Sequence, residues 1–100
     1  MGQTGAVIVF YLPDVGAIER ANTLAQWLPV VVVDNTPNGQ STLRSALRED
    51  IELISNGANL GIATAINQGV GWLLNAGFRF ALLFDQDGEP SNYEIKRLSL

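Results

Sequence analysis

Residues 80–87 read FALLFDQD, two carboxylates placed directly after an uninterrupted apolar run. A run of this kind, lacking polar alternation, predicts a strand buried on both faces and therefore central in a parallel sheet. Open α/β sheets bind their ligands outside the carboxyl ends of such strands. Asp85 and Asp87 thus fall at the expected functional edge. Two oxygen donors there suit a hard divalent cation such as Mg²⁺, which shares its coordination shell with phosphate oxygens. The same pair also suits an ordinary polar turn, because aspartate is common where strands end.

Outward from this stretch the chain alternates in type. Residues 5–11 (GAVIVFY) predict a first strand, rich in β-branched and aromatic side chains. Pro13 breaks it, and Asp14 is placed to cap a helix over residues 15–28, with Ile18, Ala21, Ala25 and Leu28 at helical spacing. Pro29 ends that helix. Residues 30–33 form a second all-apolar strand closing on Asp34 and Asn35, and TPNG at 36–39 is dense turn chemistry. Leu43, Ala46 and Leu47 suggest a short helix before a third strand at 51–55. After a loop at 56–61, Ile62, Ala65, Ile66, Gly69, Val70 and Leu73 mark the apolar face of a strong helix ending near Gly77. The fourth strand covers residues 80–84. Residues 91–100 carry the periodicity of a further helix, with Ile95 and Leu98 on its apolar side. This alternation implies an α/β, Rossmann-like, mainly parallel sheet with right-handed crossovers and helices on both faces. Such architectures normally continue with more strands, so the chain reads as the first half of a larger enzyme.

Composition narrows the chemistry. One hundred residues make one domain at most. With no cysteine and no histidine, Ser–His–Asp and Cys–His catalysis and thiolate metal sites are excluded within this chain. A formal net charge of −4 leaves no electrostatic footprint for nucleic acid. The longest apolar runs are of strand length, far short of a membrane span. Nothing resembles a signal peptide, and a cytoplasmic location is the expectation.

Three loops converge at the carboxyl edge of the expected sheet: residues 11–14, 34–39 and 85–89. A carboxylate ending the second strand of a nucleotide-binding unit, as Asp34 does, can hydrogen-bond a nucleoside; it can equally be a capping or turn aspartate. The first turn lacks Gly-x-Gly-x-x-Gly, and no Gly-x-x-x-x-Gly-Lys occurs, which argues against dinucleotide and P-loop sites. The loop NGANLG at 56–61 opens onto the strong helix, so a ligand could approach its glycines closely and an anion its amides. A plain strand-to-helix turn, with Asn59 or Gly61 near the cap, reads the same loop without a ligand. The cations are Arg20, Arg44, Arg48, Arg79, Lys96 and Arg97, and none lies in the three strand-end loops. A diphosphate there would need a divalent ion between the two aspartates, or a cation from beyond this sequence.

These segments resemble the nucleotide-sugar half of family 2 glycosyltransferases, and within them the bacterial rhamnosyltransferases. The shared pattern is a first strand ending near an aromatic residue (7–11), then VVVVDN (30–35), NGANLGIATAINQGVGW (56–72) and ALLFDQD (81–87), in the same order. The resemblance implies a nucleotide-diphospho-sugar transferase fold of the GT-A type, with residues 1–100 as its N-terminal, donor-binding part and the acceptor half absent. It implies that Asp34 contacts the nucleobase, with Tyr11 in the loop lining the base. Asn59, Gly61 and Asn67 would belong to the segment beside the nucleotide. Asp85 would turn toward the ribose, and Asp87 toward the metal and diphosphate, with Asp85 also available to the Mg²⁺ or Mn²⁺ ion. The implied reaction is inverting transfer of rhamnose from dTDP-rhamnose to a cell-surface polysaccharide or lipid-linked saccharide acceptor. Its carboxylate base would lie beyond residue 100, so this fragment alone should not turn over. The class allows peripheral association of the full-length protein with the inner face of the cell membrane. In one departure, Gly88 stands where this subgroup often has serine.

Two other readings compete. Haloacid-dehalogenase-type phosphatases also place Asp-x-Asp-Gly after an apolar strand and use Mg²⁺. Their motif follows the first strand and continues with threonine, whereas here three strands precede it and Glu89 follows. A non-catalytic nucleotide-binding domain would keep the half-fold without the chemistry.

Overall fold

In the computed structural model, which describes residues 3–39, 42–87 and 94–98, strands and helices alternate as the sequence pattern predicts. They are β1 (Thr4–Phe10), α1 (Val15–Leu24), β2 (Val30–Asp34), α2 (Leu43–Ala46), β3 (Glu52–Ser55), α3 (Ile62–Asn75), β4 (Phe80–Asp85) and β5 (Glu94–Arg97). The strands form one sheet in the order β3-β2-β1-β4-β5. β1 is parallel to both neighbours, with Val7 opposite Val31 in β2 and Leu83 in β4. β3 is parallel to β2, and β5 is antiparallel to β4.

The winding of the chain reverses between β1 and β4. From β1 it steps outward through α1 and α2 to β3, then α3 carries it back across the sheet to β4. Right-handed crossovers in opposite directions place their helices on opposite faces. The core divides accordingly. Ala6, Ile8, Phe10, Val30 and Val32 pack with Ala17 and Ala21 of α1 and Leu43 of α2. Val7, Val31, Val33, Ala81 and Leu83 pack with Ala65 and Leu73 of α3. The two-residue period of each strand sorts its side chains between these layers, and β2 is buried throughout because it is covered on both sides.

Local chemistry sets the helix ends. Asp14 caps α1, its Oδ1 accepting from the Ala17 amide at 2.8 Å. α1 stops at Leu24 rather than residue 28, and the chain turns before Pro29, whose carbonyl accepts from Ala6 N at 2.8 Å to open the ladder with β1. α3 closes with Gly77 at φ 94°, its amide bonded to Leu74 O and the Phe78 amide to Leu73 O, both 3.0 Å. That is the paired 5→2 and 6→1 pattern of a glycine-terminated helix. α3 also lies very close to the sheet: a Cβ on Gly69 would come within 2.5 Å of Val7 Cγ1, and one on Gly5 within 2.5 Å of Leu73 Cδ2.

Three expectations change. Ile62, assigned to the buried face of the strong helix, is 62% exposed, because the first turn of α3 overhangs the sheet while Ala65, Gly69 and Leu73 meet it. β4 is buried mainly on its α3 side; Leu82 and Phe84, on the other, are only partly covered, since α1 packs over β1 and β2. The helix expected over 91–100 is replaced by β5 across residues 94–97, pairing Phe80 with Arg97 and Leu83 with Glu94. Unpaired backbone groups along the β4 edge outweigh a weak periodicity too short to hold a helix by itself. Residues 91–93 and 99–100 lie outside the described residues. Among the described residues no helix is long and apolar enough to cross a membrane.

Candidate functional site

The carboxyl ends of β2, β1 and β4 lie side by side at the point where the strand order reverses, the place where open α/β sheets hold ligands. At the end of β2, Asp34 sits opposite Phe10 and is 1% exposed. Its Oδ1 accepts from the Thr36 amide at 3.1 Å and from the Thr36 hydroxyl at 2.6 Å. This is the side-chain-to-backbone turn that aspartate favours. Its Oδ2 is buried with no hydrogen-bond partner among the described residues. A carboxylate oxygen left this way costs on the order of 1–3 kcal/mol or more, and an incoming N–H or O–H would remove that cost.

The loop after β1 is held from both sides. The Tyr11 amide donates to Gln86 Oε1 at 2.8 Å, and the Leu12 amide donates to Thr36 Oγ1 at 2.9 Å. Leu12 takes the left-handed conformation, φ 46°, which a leucine adopts only under such restraint. Tyr11 is 45% exposed at the rim. Asp85 ends β4 and Asp87 follows in a turn, both exposed to solvent.

Between the two aspartates, the Gln86 carbonyl accepts from Arg20 Nε at 3.2 Å and Nη2 at 3.1 Å. The sequence count of cations in the strand-end loops therefore misses one. Arg20 is not in a loop, but its long side chain reaches the edge from the second turn of α1. Among the described residues no cluster of three or more acidic, histidine or cysteine side chains could enclose a metal ion. Asp85 and Asp87 could offer a divalent cation only a partial donor set, which phosphate oxygens and water would have to complete, as is usual for Mg²⁺. Gly88 and Glu89 lie outside the described residues. An open groove of about 330 Å³ runs from Asp85 and Gln86 down between α1 and β4, over Ile8, Leu24 and Phe84. Its walls are mainly apolar, so it is the uncovered flank of β4 rather than the polar edge above.

The loop at 56–61 is tied in by amides. Asn35 Nδ2 donates to Gly61 O at 3.0 Å, and Asn35 Oδ1 accepts from Asn56 Nδ2 at 2.8 Å. Asn56 and Gln68 exchange hydrogen bonds of 2.8 and 2.9 Å, and the Asn56 amide donates to Asp34 O at 3.0 Å. Asn59 Oδ1 accepts from Gly61 N at 3.0 Å, and Gly61, at φ 88°, caps α3. Tyr11, Asp34, Asn59, Gly61, Asp85 and Asp87 thus lie at one sheet edge, on its strand ends and loops. Asn67 does not join them: it lies on the exposed side of α3, and its neighbour Gln68 enters the amide network instead. Sequence reading missed Arg20, Asn35, Thr36, Asn56, Gln68 and Gln86; the signal available was amide and hydroxyl residues flanking each strand end.

No protein-family model matches the chain. It is 39% identical over 99 residues to the dTDP-rhamnosyl transferase RfbF of Shigella flexneri, in an alignment taking in 94% of this chain and 32% of that protein. The chain thus spans about a third of the length of the curated relative it matches. The crystal structure of a 4-diphosphocytidyl-2C-methyl-D-erythritol synthase resembles it with a TM-score of 0.62, covering 86% of this chain and 47% of that one at 16% identity. That likeness speaks for the fold, the Rossmann-like α/β class expected from the residue pattern.

Proposed function

We propose that this chain, a homologue of a dTDP-rhamnosyl transferase over 94% of its length, is the N-terminal, donor-binding part of a rhamnosyl-transferring glycosyltransferase. The observation that carries this reading is the buried Oδ2 of Asp34, which has no partner among the described residues, at the strand-order reversal. A nucleoside offers the single N–H or O–H that this atom requires. Thr36 already fills Oδ1, so the carboxylate is fixed in rotation and accepts from one direction.

In this reading the base lies beside Asp34 and Tyr11, and the nucleotide passes the Asn59–Gly61 turn. The ribose reaches Asp85, and the diphosphate Asp87. Mg²⁺ or Mn²⁺, when bound, neutralises the diphosphate leaving group. Arg20 contributes positive charge from the side, while its bonds to Gln86 O hold the Asp85–Asp87 turn at the edge. The chain supplies binding and orientation of the donor. The carboxylate base, the inverting step and the saccharide or lipid-linked acceptor belong to the remainder of the full-length protein, which acts in the cytoplasm at the inner membrane face.

Titrating dTDP, UDP, CDP and GDP, and their sugars, into the full-length protein with and without Mg²⁺ or Mn²⁺ tests the proposal. The expected result is preference for dTDP and dTDP-rhamnose, strengthened by the metal. Failure to bind any nucleoside diphosphate would refute it.

A further inference from the structure

Two consecutive backbone amides of the first loop are each taken by a side chain from a different neighbouring strand end. Leu12 N is held by Thr36, beyond β2, and Tyr11 N by Gln86, beyond β4. Thr36 in turn donates to Asp34 Oδ1, and Gln86 is gripped through its carbonyl by Arg20. A path therefore runs Asp34–Thr36–Leu12–Tyr11–Gln86–Arg20 across the three strand ends, of hydrogen bonds throughout except for the peptide bond between Tyr11 and Leu12. The Leu12 backbone, at φ 46°, stays in a sparsely populated conformation because both sides constrain it.

We infer that Thr36 and Gln86 are positioning residues that couple the base end of the donor site to its diphosphate end. The inference rests on the donor-site reading above. Neither residue need touch the ligand. Each fixes one side of the Tyr11–Leu12 pair, so displacement at one end is passed to the other through that pair. A carboxylate held at the right angle for the base and a turn held at the right height for the diphosphate then arise together. Loss of either bracket releases both.

Cross-effects distinguish this from two local supports. The probes are dTMP and dTDP, each with Mg²⁺, titrated calorimetrically into the full-length protein and its variants. The ratio of their affinities measures the advantage of the second phosphate. Thr36→Val keeps the shape and removes the hydroxyl at the base end; it should lower that ratio at least threefold, although Thr36 is remote from Asp85 and Asp87. Thr36→Ser restores the hydroxyl and should return the ratio to within about twofold of wild type, the scatter expected of independent sites. Gln86→Leu removes the acceptor at the diphosphate end and should weaken dTMP, which lacks the second phosphate, at least threefold. Thermal unfolding of each variant checks the fold, and the ratio, unlike a general loss of stability, reports coupling alone. The inference is overturned if Thr36→Val changes dTMP and dTDP affinities by the same factor while Gln86→Leu leaves dTMP unchanged. If wild type binds neither nucleotide, the donor-site reading itself falls, and this inference with it.

Discussion

Replacing Gly69 and Gly71 by alanine, one at a time, should move stability in opposite directions, although both lie within α3. Alanine favours a helix interior over glycine by ~0.8–1.0 kcal/mol, and that gain is common to both. Nothing stands within 4 Å of a Cβ at position 71, so Gly71→Ala should stabilise by ~0.5–1 kcal/mol. At position 69 the new carbon would lie 2.5 Å from Val7 Cγ1 and 3.0 Å from Cγ2. Carbon atoms rest comfortably at ~3.5–4.0 Å. Val7 is buried, and its branched side chain turns only between rotamers that keep a methyl near the helix. Relief therefore requires α3 to lift from the sheet by roughly 1 Å, loosening Ala65 and Leu73. Overpacking costs ~1–3 kcal/mol, here toward the upper end, which leaves a net loss of ~1–2 kcal/mol after the helical gain is subtracted. For a domain of this size that is a fall of ~4–16 °C in Tm. Urea unfolding and thermal melts followed by circular dichroism measure both variants. A Gly69→Ala protein as stable as Gly71→Ala would refute the close approach of α3 to β1.

Three other expected outcomes bear on the site and the core. Asp34→Ala in the full-length protein should weaken nucleotide binding by ~1–3 kcal/mol, as for a hydrogen bond to a charged group, equally with metal and with chelator; a loss confined to the metal-loaded protein would make Asp34 a metal ligand instead. Asp87→Asn keeps the size and removes the charge, so it should abolish most of the reciprocal strengthening between nucleoside diphosphate and Mn²⁺; calorimetry showing the same metal dependence as wild type would exclude Asp87 from the ion. Ile66→Asp places a charge without a partner among the α3-side apolar residues and should lower stability by several kcal/mol, within the range of severe substitutions; an unchanged melting temperature would mean the face was misassigned.

The strands were legible because their residues leave few alternatives: Val30 to Val33 suit a position buried on both faces and little else. The placement of Asp34, Asp85 and Asp87 at one edge followed from the parallel order alone. What periodicity cannot show is where a helix overhangs its sheet: Ile62 carries the apolar pattern, yet Ala65, about 4.5 Å farther along the axis, is the first residue of α3 to be buried. The C-terminal segment reads as a helix in the sequence because strand pairing depends on an edge that only the assembled sheet provides. Side-chain reach was the other blind spot. Arg20 belongs to α1 in the sequence but to the β4 end in space, and Asn35, Asn56 and Gln68 meet only once two strand-end loops converge with α3.

The lone buried oxygen of Asp34 also sets heat resistance against recognition. An apolar side chain at that position would spare the ligand-free protein a buried polar atom without a partner among the described residues, so variants selected for thermal endurance alone should drift away from aspartate there. A ligand bound as proposed would offset that cost: at a hundred times its dissociation constant it would add about 2.7 kcal/mol to the folded state. On the proposed donor-site reading the melting temperature should rise with donor supply, and a stabilised version that no longer responds to nucleotide would have lost the role proposed for this atom.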